Sequence, residues 1–438
     1  MSLPSHPQRH VLHNEIHARP PEPLAAPLAI SHLVMLADAA QRAASRAHLA
    51  ALLQDHHLPQ PDANANFLRT DIGPLSLRWE LHTEFVSWTL MRPLSTPAAA
   101  LAGREPPTAA DATPQSWLAA LPGQCLASMH LWVLPPLLLH GDDDGPSPIV
   151  RSLLREDALV GATVADGLGE VFTDFAIHAD GYSRMVLSAG SISPRRLGRL
   201  VQQLLEIETY RMAALLGLPA AREAFAVLGS AERELAELAQ AIRSAGREDE
   251  PQLLDRLTRL AGQVESQHAA THSRFSASAA YFELVQQRIA DIAETRLPGL
   301  QTIGEFMERR LTPARSTCEW ATRRQDSLSQ RVSRISNLLR TRVEIEQQQS
   351  SQALLATMNT RQDMQLKLQS TVEGLSVAAI TYYIVGLVSY VAKAAQPLGW
   401  PLGAETTSAI AIPVVAFGVW WLLRRLHRKI TSGQATVS

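Results

Sequence analysis

From Gly374 to Ala392 the chain reads GLSVAAITYYIVGLVSYVA, nineteen residues without a charge. A helix needs about 20 apolar residues to cross the ~30 Å of hydrocarbon in a bilayer, so this stretch predicts a membrane span. A second uncharged run, TTSAIAIPVVAFGVWWLL, extends from Thr406 to Leu423. It contains Pro413, which a membrane helix tolerates when neighbours satisfy the freed carbonyl, and it ends on Trp420 and Trp421, side chains suited to the interface. The competing reading is a pair of core helices in a soluble protein. Charge distribution argues against it: the second run is followed at once by RRLHRK, with Arg424, Arg425, Arg428 and Lys429, whereas the connecting segment carries only Lys393 as a basic residue. Basic residues concentrate on the cytoplasmic side, so the reading is a membrane hairpin with both termini cytoplasmic.

The rest of the 438 residues must then form what the hairpin tethers. With 46% hydrophobic and 19% charged residues, the chain has the composition of a folded protein. Its formal net charge of −2 and the lack of a basic cluster with interleaved aromatics argue against a nucleic-acid partner. Cys125 and Cys318 belong to no CxxC pair, which suggests neither a disulfide framework nor a thiolate zinc site. MSLPSHPQRHVLHNE lacks the apolar core of a secretory signal, consistent with a cytoplasmic N-terminal part.

Upstream, strand and helix patterns alternate. SHLVML (Ser31 to Leu36) reads as a strand and Asp38 to Gln54 as a helix capped by Asp38. In PLSLRWELHTEFVSWTLMR, Leu75, Leu77, Trp79 and Leu81 fall on one face and Ser76, Arg78, Glu80 and His82 on the other, the pattern of a half-buried strand, read as the first arm of a pair. ALVGATVAD, GEVFTDFAIH and GYSRMVLSA add three more, the last two joined at Asp180-Gly181, a dipeptide suited to a tight type I′ hairpin. The expectation is a mixed sheet of about six or seven strands. Beyond Ser193 the pattern is helical, with Pro194 at the first helical position and Leu197, Leu200, Val201, Leu204 and Leu205 forming a stripe that should lie on the sheet. Further helices are expected over residues 221–245 and 251–295, with a break at Pro298-Gly299. After Pro313 no proline occurs before Ala392, and an uninterrupted helix of that length spans on the order of 120 Å. Within this stalk Leu328, Val332, Ile335, Leu339 and Val343 trace one face, a coiled-coil-like seam. EQQQSSQ (Glu346 to Gln352) interrupts it, before Leu354, Leu355 and Met358 restore an apolar face.

Candidate chemistry is sparse. In HNEIHARPP, His13, Glu15 and His17 alternate, so an extended segment places all three on one side, and imidazoles with a carboxylate suit a divalent metal ion. His82 and Glu84, of LHTEF, would complete such a site if the fold brings the segments together; a salt-bridge network fixing the N-terminal arm is the static alternative. Asp142, Asp143 and Asp144 lack calcium-loop spacing, Gly167-Leu168-Gly169 lacks the third glycine of a dinucleotide loop, and Ser191 lacks a GxSxG frame. Asp174, His178 and Arg184 suit ordinary polar pairing across a hairpin. No complete catalytic constellation emerges. Glu373, at the membrane entrance, and Tyr382 and Tyr383, within the first span, would line a pore if several copies packed about an axis.

The segments NEIHARPP (Asn14 to Pro21), RWELHTEF (Arg78 to Phe85), FTDFAIHADGYSR (Phe172 to Arg184), GRLVQQLLEIETYRMAALL (Gly198 to Leu216) and QLKLQSTVEGLSVAAITYY, ending at Tyr383, resemble an uncharacterised bacterial family of membrane-anchored proteins. The resemblance implies a C-terminal anchor and supplies no activity, cofactor or functional residue. In layout alone, a cytoplasmic domain followed by a long helix, a first span, a short outer loop and a second span with a basic tail is similar to the CorA-type magnesium channels. Their Gly-Met-Asn triplet is absent: the corresponding place reads SYVAKAAQPLGW, Ser389 to Trp400.

The expected fold is therefore α+β. A cytoplasmic mixed-sheet domain with packed helices (1–220) is followed by a helical midsection (221–312), a stalk (313–373), two spans (374–392 and 406–423) and a basic tail (424–438), assembled as a homo-oligomer in the lipid bilayer. Two functions suit it: a divalent-cation channel or transporter, or a membrane-tethered metal- or partner-binding scaffold that conducts nothing.

Overall fold

The computed structural model describes residues 6–9, 13, 21–95, 105–136, 146–246, 248–395 and 401–433, with only the backbone described after Arg425. The chain forms two compact units, Met1–Ser336 and Asn337–Ser438.

The first unit is α+β and is built on a nine-stranded mixed sheet in the order β2-β3-β4-β1-β5-β8-β7-β6-β9. The strands are β1 (Leu28–Leu36), β2 (Phe67–Ile72), β3 (Leu75–Leu81), β4 (Phe85–Pro93), β5 (Gln124–Leu134), β6 (Val160–Val164), β7 (Gly169–Thr173), β8 (Ser183–Ser188) and β9 (Thr295–Arg296). All neighbours are antiparallel except β5 and β8. Strands β2, β5 and β9 escape the sequence pattern. Beta-strand β5, QCLASMHLWVL, is covered on both faces in its second half and loses the alternation that marks a half-buried strand.

The helices are α1 (Ala39–Asp55), α2 (Gln115–Ala119), α3 (Pro148–Leu153), α4 (Pro194–Leu215), α5 (Gly217–Ser244), α6 (Glu250–Asp291), α7 (Ile303–Ala395) and α8 (Ala404–Gly433). Helix α1 begins as its sequence predicts: Asp38 accepts from the Gln41 N–H while the Gln41 side chain accepts from the Asp38 N–H, a reciprocal capping box. It covers one face of the sheet, where Leu49 and Leu53 join Leu77, Trp79, Trp88 and Leu90 in one core. Trp79 and Trp88 are both fully buried, with ring centroids 6.4 Å apart. Helix α4 covers the opposite face. Leu197, Leu200, Val201, Leu204 and Leu205 pack there with Ile30, Leu131, Met185 and Leu187, joined by Phe282 and Val285 of α6 and by Ile303, Met307 and Leu311 of α7.

Three local expectations are corrected. The strand read from Leu75 is, as expected, the first arm of a pair, and the segment to Met91 holds both arms: β3 and β4 pair antiparallel and turn at His82-Thr83-Glu84. No Gly, Asn or Pro marks that turn in the sequence. It is held from outside instead, with Glu84 C=O accepting from Ala37 N–H at 3.0 Å and Thr83 C=O accepting from the Arg42 guanidinium. Nor is the hairpin half-buried. Leu75, Leu77 and Trp79 do share a face, as the alternation predicts, but Arg78 and Glu80 on the other face are buried as well. The connection at Asp180-Gly181 is not a two-residue type I′ turn: β7 ends at Thr173, and His178 and Tyr182 close a three-residue loop in which Gly181 supplies φ +87°. Helix α7 starts at Ile303 rather than after Pro313, because Thr302 and Glu305 form a capping box, each side chain accepting from the other's N–H.

In the second unit, α7 continues as a helix whose side chains are largely exposed from Leu354 onward. Its apolar end and α8 close on each other at the short loop, with Ala392 and Ala404 buried. An apolar gap of about 360 Å³, lined by Ile384, Leu387, Val388, Val391 and Thr407, remains between them.

Candidate functional site

The face of β1 that looks toward α4 carries Leu28 and Ile30 in the core, and then His32. In register with it, His32 stands beside Thr89 of β4 and Thr89 beside Arg78 of β3; the neighbouring row pairs Ser87 with Glu80. Five polar side chains are therefore placed on adjacent strands where an apolar patch would ordinarily continue. Helix α4 presents Gln202, Leu205, Glu206, Thr209 and Tyr210 at i, i+3, i+4 spacing over this patch, and α6 adds Arg288. Together with His82 and Phe85 at the hairpin turn, these residues enclose a cavity of about 220 Å³.

His32 is 3% exposed and bridges sheet and helix: Nδ1 lies 2.9 Å from Thr89 Oγ1 and Nε2 lies 3.0 Å from Thr209 Oγ1. Thr209 donates its own proton to the Leu205 carbonyl at 2.9 Å, so its oxygen must accept from His32. That fixes the neutral Nε2–H tautomer, with Nδ1 accepting from Thr89. Burial is the main cause pushing its pKa down to about 3, and the charges of Arg78 and His82 add to it. Glu206 is held by Gln202 at 2.9 Å and by Arg288. Arg78 is 8% exposed; its Nε lies 3.4 Å from Glu80 Oε2 without lining up as a hydrogen bond, and that oxygen already accepts from Ser87 at 3.2 Å.

Glu22 lies close enough to Arg78 to feel its charge; burial raises the Glu22 pKa, against the pull of Arg69, 2.5 Å away, and Arg78. The backbone here is tightly seated. Leu24 N–H donates to Pro194 C=O at 3.0 Å, and the Glu22 carbonyl lies so close to Gly198 of α4 that only a residue without a Cβ fits.

Of the proposed metal ligands, His82 stacks on Phe85 at 4.4 Å, and Glu84 receives both guanidinium nitrogens of Arg274, the closer at 2.6 Å, and the Tyr281 hydroxyl at 3.0 Å. Burial, and then Glu84, push that hydroxyl well above the ordinary tyrosine range. His13 is exposed, while Glu15 and His17 lie outside the described residues, as do Asp142, Asp143 and Asp144. Among the described residues no group of three or more His, Cys, Asp or Glu stands close enough to hold a metal ion. Asp174 and His178 do meet, at 2.8 Å, and Asp174 also accepts from the Arg155 and Ala176 N–H groups, so this pair ties down a loop. Arg184 binds Asp180 at 3.0 Å and Glu105 at 2.7 Å.

A second buried histidine lies on the opposite face of the sheet. His130 Nδ1 is 2.9 Å from Ser31 Oγ, its ring stacks on Tyr182 at 3.9 Å, and burial drives its pKa down to about 4. The sequence did hold a signal for both: SHLVML and MHLWVL each set one histidine inside an apolar strand.

In the second unit, the sequence-predicted residues Tyr382 and Tyr383 are 77% and 72% exposed, and Glu373 is half-buried. Three helical stretches are long and apolar enough to cross a membrane: Pro194–Ser244, Ile303–Ala395 and Ala404–Arg425. The first is the pair α4–α5, of which α4 covers the sheet with its apolar face.

A family model matches residues 4–430. The chain belongs to the family described as Protein of unknown function (DUF3422). No curated protein and no solved structure matches the chain. The family spans both units, so the cavity and the apolar hairpin are parts of one family architecture.

Proposed function

We propose that this chain is a non-enzymatic protein of the bacterial inner membrane, anchored by the apolar end of α7 and by α8, with both termini cytoplasmic. One observation carries the reading. The most apolar window of α8 has none of its residues buried, against 33% for the equally long-enough stretch α4–α5. Ile410, Ile412, Val414, Phe417, Trp420 and Trp421 are all exposed, as are Leu387, Tyr390 and Val391 of α7. So large a contiguous apolar surface suits lipid and not water. Arg424 and Arg425 sit over the Trp420 and Trp421 rings at 4.9 and 5.2 Å, which suits a cytoplasmic interface. The test is alkaline carbonate extraction of cell membranes, with a C-terminal tag probed from the periplasm. Retention in the pellet with a protected tag is expected; release into the supernatant, or a tag reached from outside, rejects the reading.

A homo-oligomeric conduit for a divalent cation is the second reading. It is favoured by an uncovered stripe on the stalk: Met364, Leu368, Val372 and Leu375 are each more than half exposed and recur at helical spacing. An isolated helix in water draws little stability from its own backbone, so a stalk with this stripe calls for a partner helix. Copies packed along it bring Glu373 within a turn of the seam, as an acidic ring. Cation flux into liposomes tests the conduit, and no flux above empty vesicles leaves a tethered scaffold. Zinc uptake by the full chain and its loss in His13→Ala/His17→Ala tests whether that scaffold holds metal.

A further inference from the structure

We infer that the cavity between β1, β3, β4 and helix α4 is a binding site for a small monocarboxylate, with Arg78 as its anchor. The inference is independent of how the second unit meets the membrane.

Four observations carry it. Arg78 is more than nine-tenths buried, it lines the cavity, and its Nε has no hydrogen-bond partner. Leaving a buried donor on a charged group unpaired is costly, so such groups ordinarily mark a place for a water or a ligand. Its nearest acid does not cure this: Glu80 lies 3.4 Å away, off the hydrogen-bonding line, and is engaged by Ser87. The other guanidinium of the cavity is already committed, since Arg288 is bound by Glu206 and by Asp291 at 3.1 Å. Arg78 is thus the guanidinium left with capacity at the cavity wall.

The chemistry of the occupant follows from shape and charge. A planar guanidinium fork matches a carboxylate through two parallel N–H bonds. Glu80 and Glu206 line the same space, so a dianion such as phosphate meets more repulsion than a monoanion does. His32 does not add positive charge, because it is held neutral between Thr89 and Thr209. A cavity of about 220 Å³ suits an acid of a few carbons. Leu205 and Phe85 give its carbon skeleton an apolar wall, and Gln202 and Tyr210 offer further polar contacts.

The experiment uses the full chain in detergent and a panel of probes: acetate, lactate, alanine, glutamate and inorganic phosphate. Thermal unfolding is followed by tryptophan fluorescence, and amide hydrogen exchange is read on the same samples. A monocarboxylate is expected to raise the unfolding midpoint, to outperform phosphate, and to slow exchange in peptides covering residues 76–89 and 202–210. Arg78→Lys keeps a cation but loses Nε and the planar fork, and should weaken binding at least tenfold. No response to any probe, a preference for phosphate, protection elsewhere in the chain, or an unchanged response in Arg78→Lys overturns the assignment. Should Arg78→Lys fail to fold, the exchange pattern of the wild-type chain decides alone.

Discussion

Replacing His32 should remove a defined part of the acid sensitivity of the first unit. In the folded chain this imidazole titrates at about 3, against 6.5 as its ordinary value, so the unfolded chain binds the proton more readily. Stability is therefore lost as pH falls below about 6.5, and the loss levels off only below the folded-state value. At 1.36 kcal/mol per pK unit, the cost between pH 7.5 and pH 5 is about 2 kcal/mol. His130, pushed down to about 4, contributes a further ~2 kcal/mol over the same interval. His32→Gln keeps a donor for Thr209 but leaves Thr89 short of an acceptor, a pH-independent loss of about 1 kcal/mol. The assay is urea unfolding of the full chain in detergent, followed by the fluorescence of buried Trp79, Trp88 and Trp132 at a series of pH values. Wild type should lose about 4 kcal/mol from the two histidines between pH 7.5 and 5, and His32→Gln about 2 kcal/mol less than wild type. Parallel stability curves for the two proteins would show that His32 is not held neutral by the packing described, and the reasoning would fall.

Gly198→Ala places a methyl group against the Glu22 carbonyl, 1.6 Å from an ideal Cβ, so it should destabilise the first unit by about 1–3 kcal/mol and expose the segment around Glu22 to limited proteolysis. Glu84→Gln weakens the fork to Arg274, whose side chain is 26% exposed, and should cost about 1.5–3 kcal/mol in urea unfolding. In the same variant the Tyr281 hydroxyl should ionise at lower pH than in wild type, read by ultraviolet titration, because Glu84 is one cause of its raised value. Substituting Met364, Leu368 and Val372 together by Ser should lower the mass of the detergent-solubilised particle measured by light scattering while leaving the unfolding of the first unit unchanged.

Much of the fold was legible because local rules and global packing agree. Asp38 caps α1, Pro194 opens α4, and the Leu197–Leu205 stripe meets the sheet, each as the sequence predicts. The cavity was not legible, for a physical reason. Alternation in β3 separates Leu77 and Trp79 from Arg78 and Glu80, but period two only says that two faces differ; it does not say that both are covered. Buried polar residues on a strand look like solvent-facing ones until the covering helix is placed. The turn at Thr83-Glu84 was hidden in the same way, since its support comes from Ala37 and Arg42, more than forty residues upstream of the turn in the case of Arg42.

The same reasoning separates the two kinds of apolar helix in this chain. Apolar length alone does not distinguish α4–α5 from the apolar end of α7, since both are long and apolar enough to cross a membrane. What distinguishes them is the far side of the helix. Helix α4 sets Arg195, Arg199 and Gln203 opposite its buried leucines, so it has one face for a core and one for water. Residues 374–392 have no charged position on any face, and the helix offers no side that water would stabilise. An amphipathic helix can find its apolar partner within the chain, and α4 does so on the sheet. A helix apolar all round needs apolar surroundings on every side, which one neighbouring helix cannot supply. On the membrane reading proposed above, lipid and further copies of the hairpin would meet that demand.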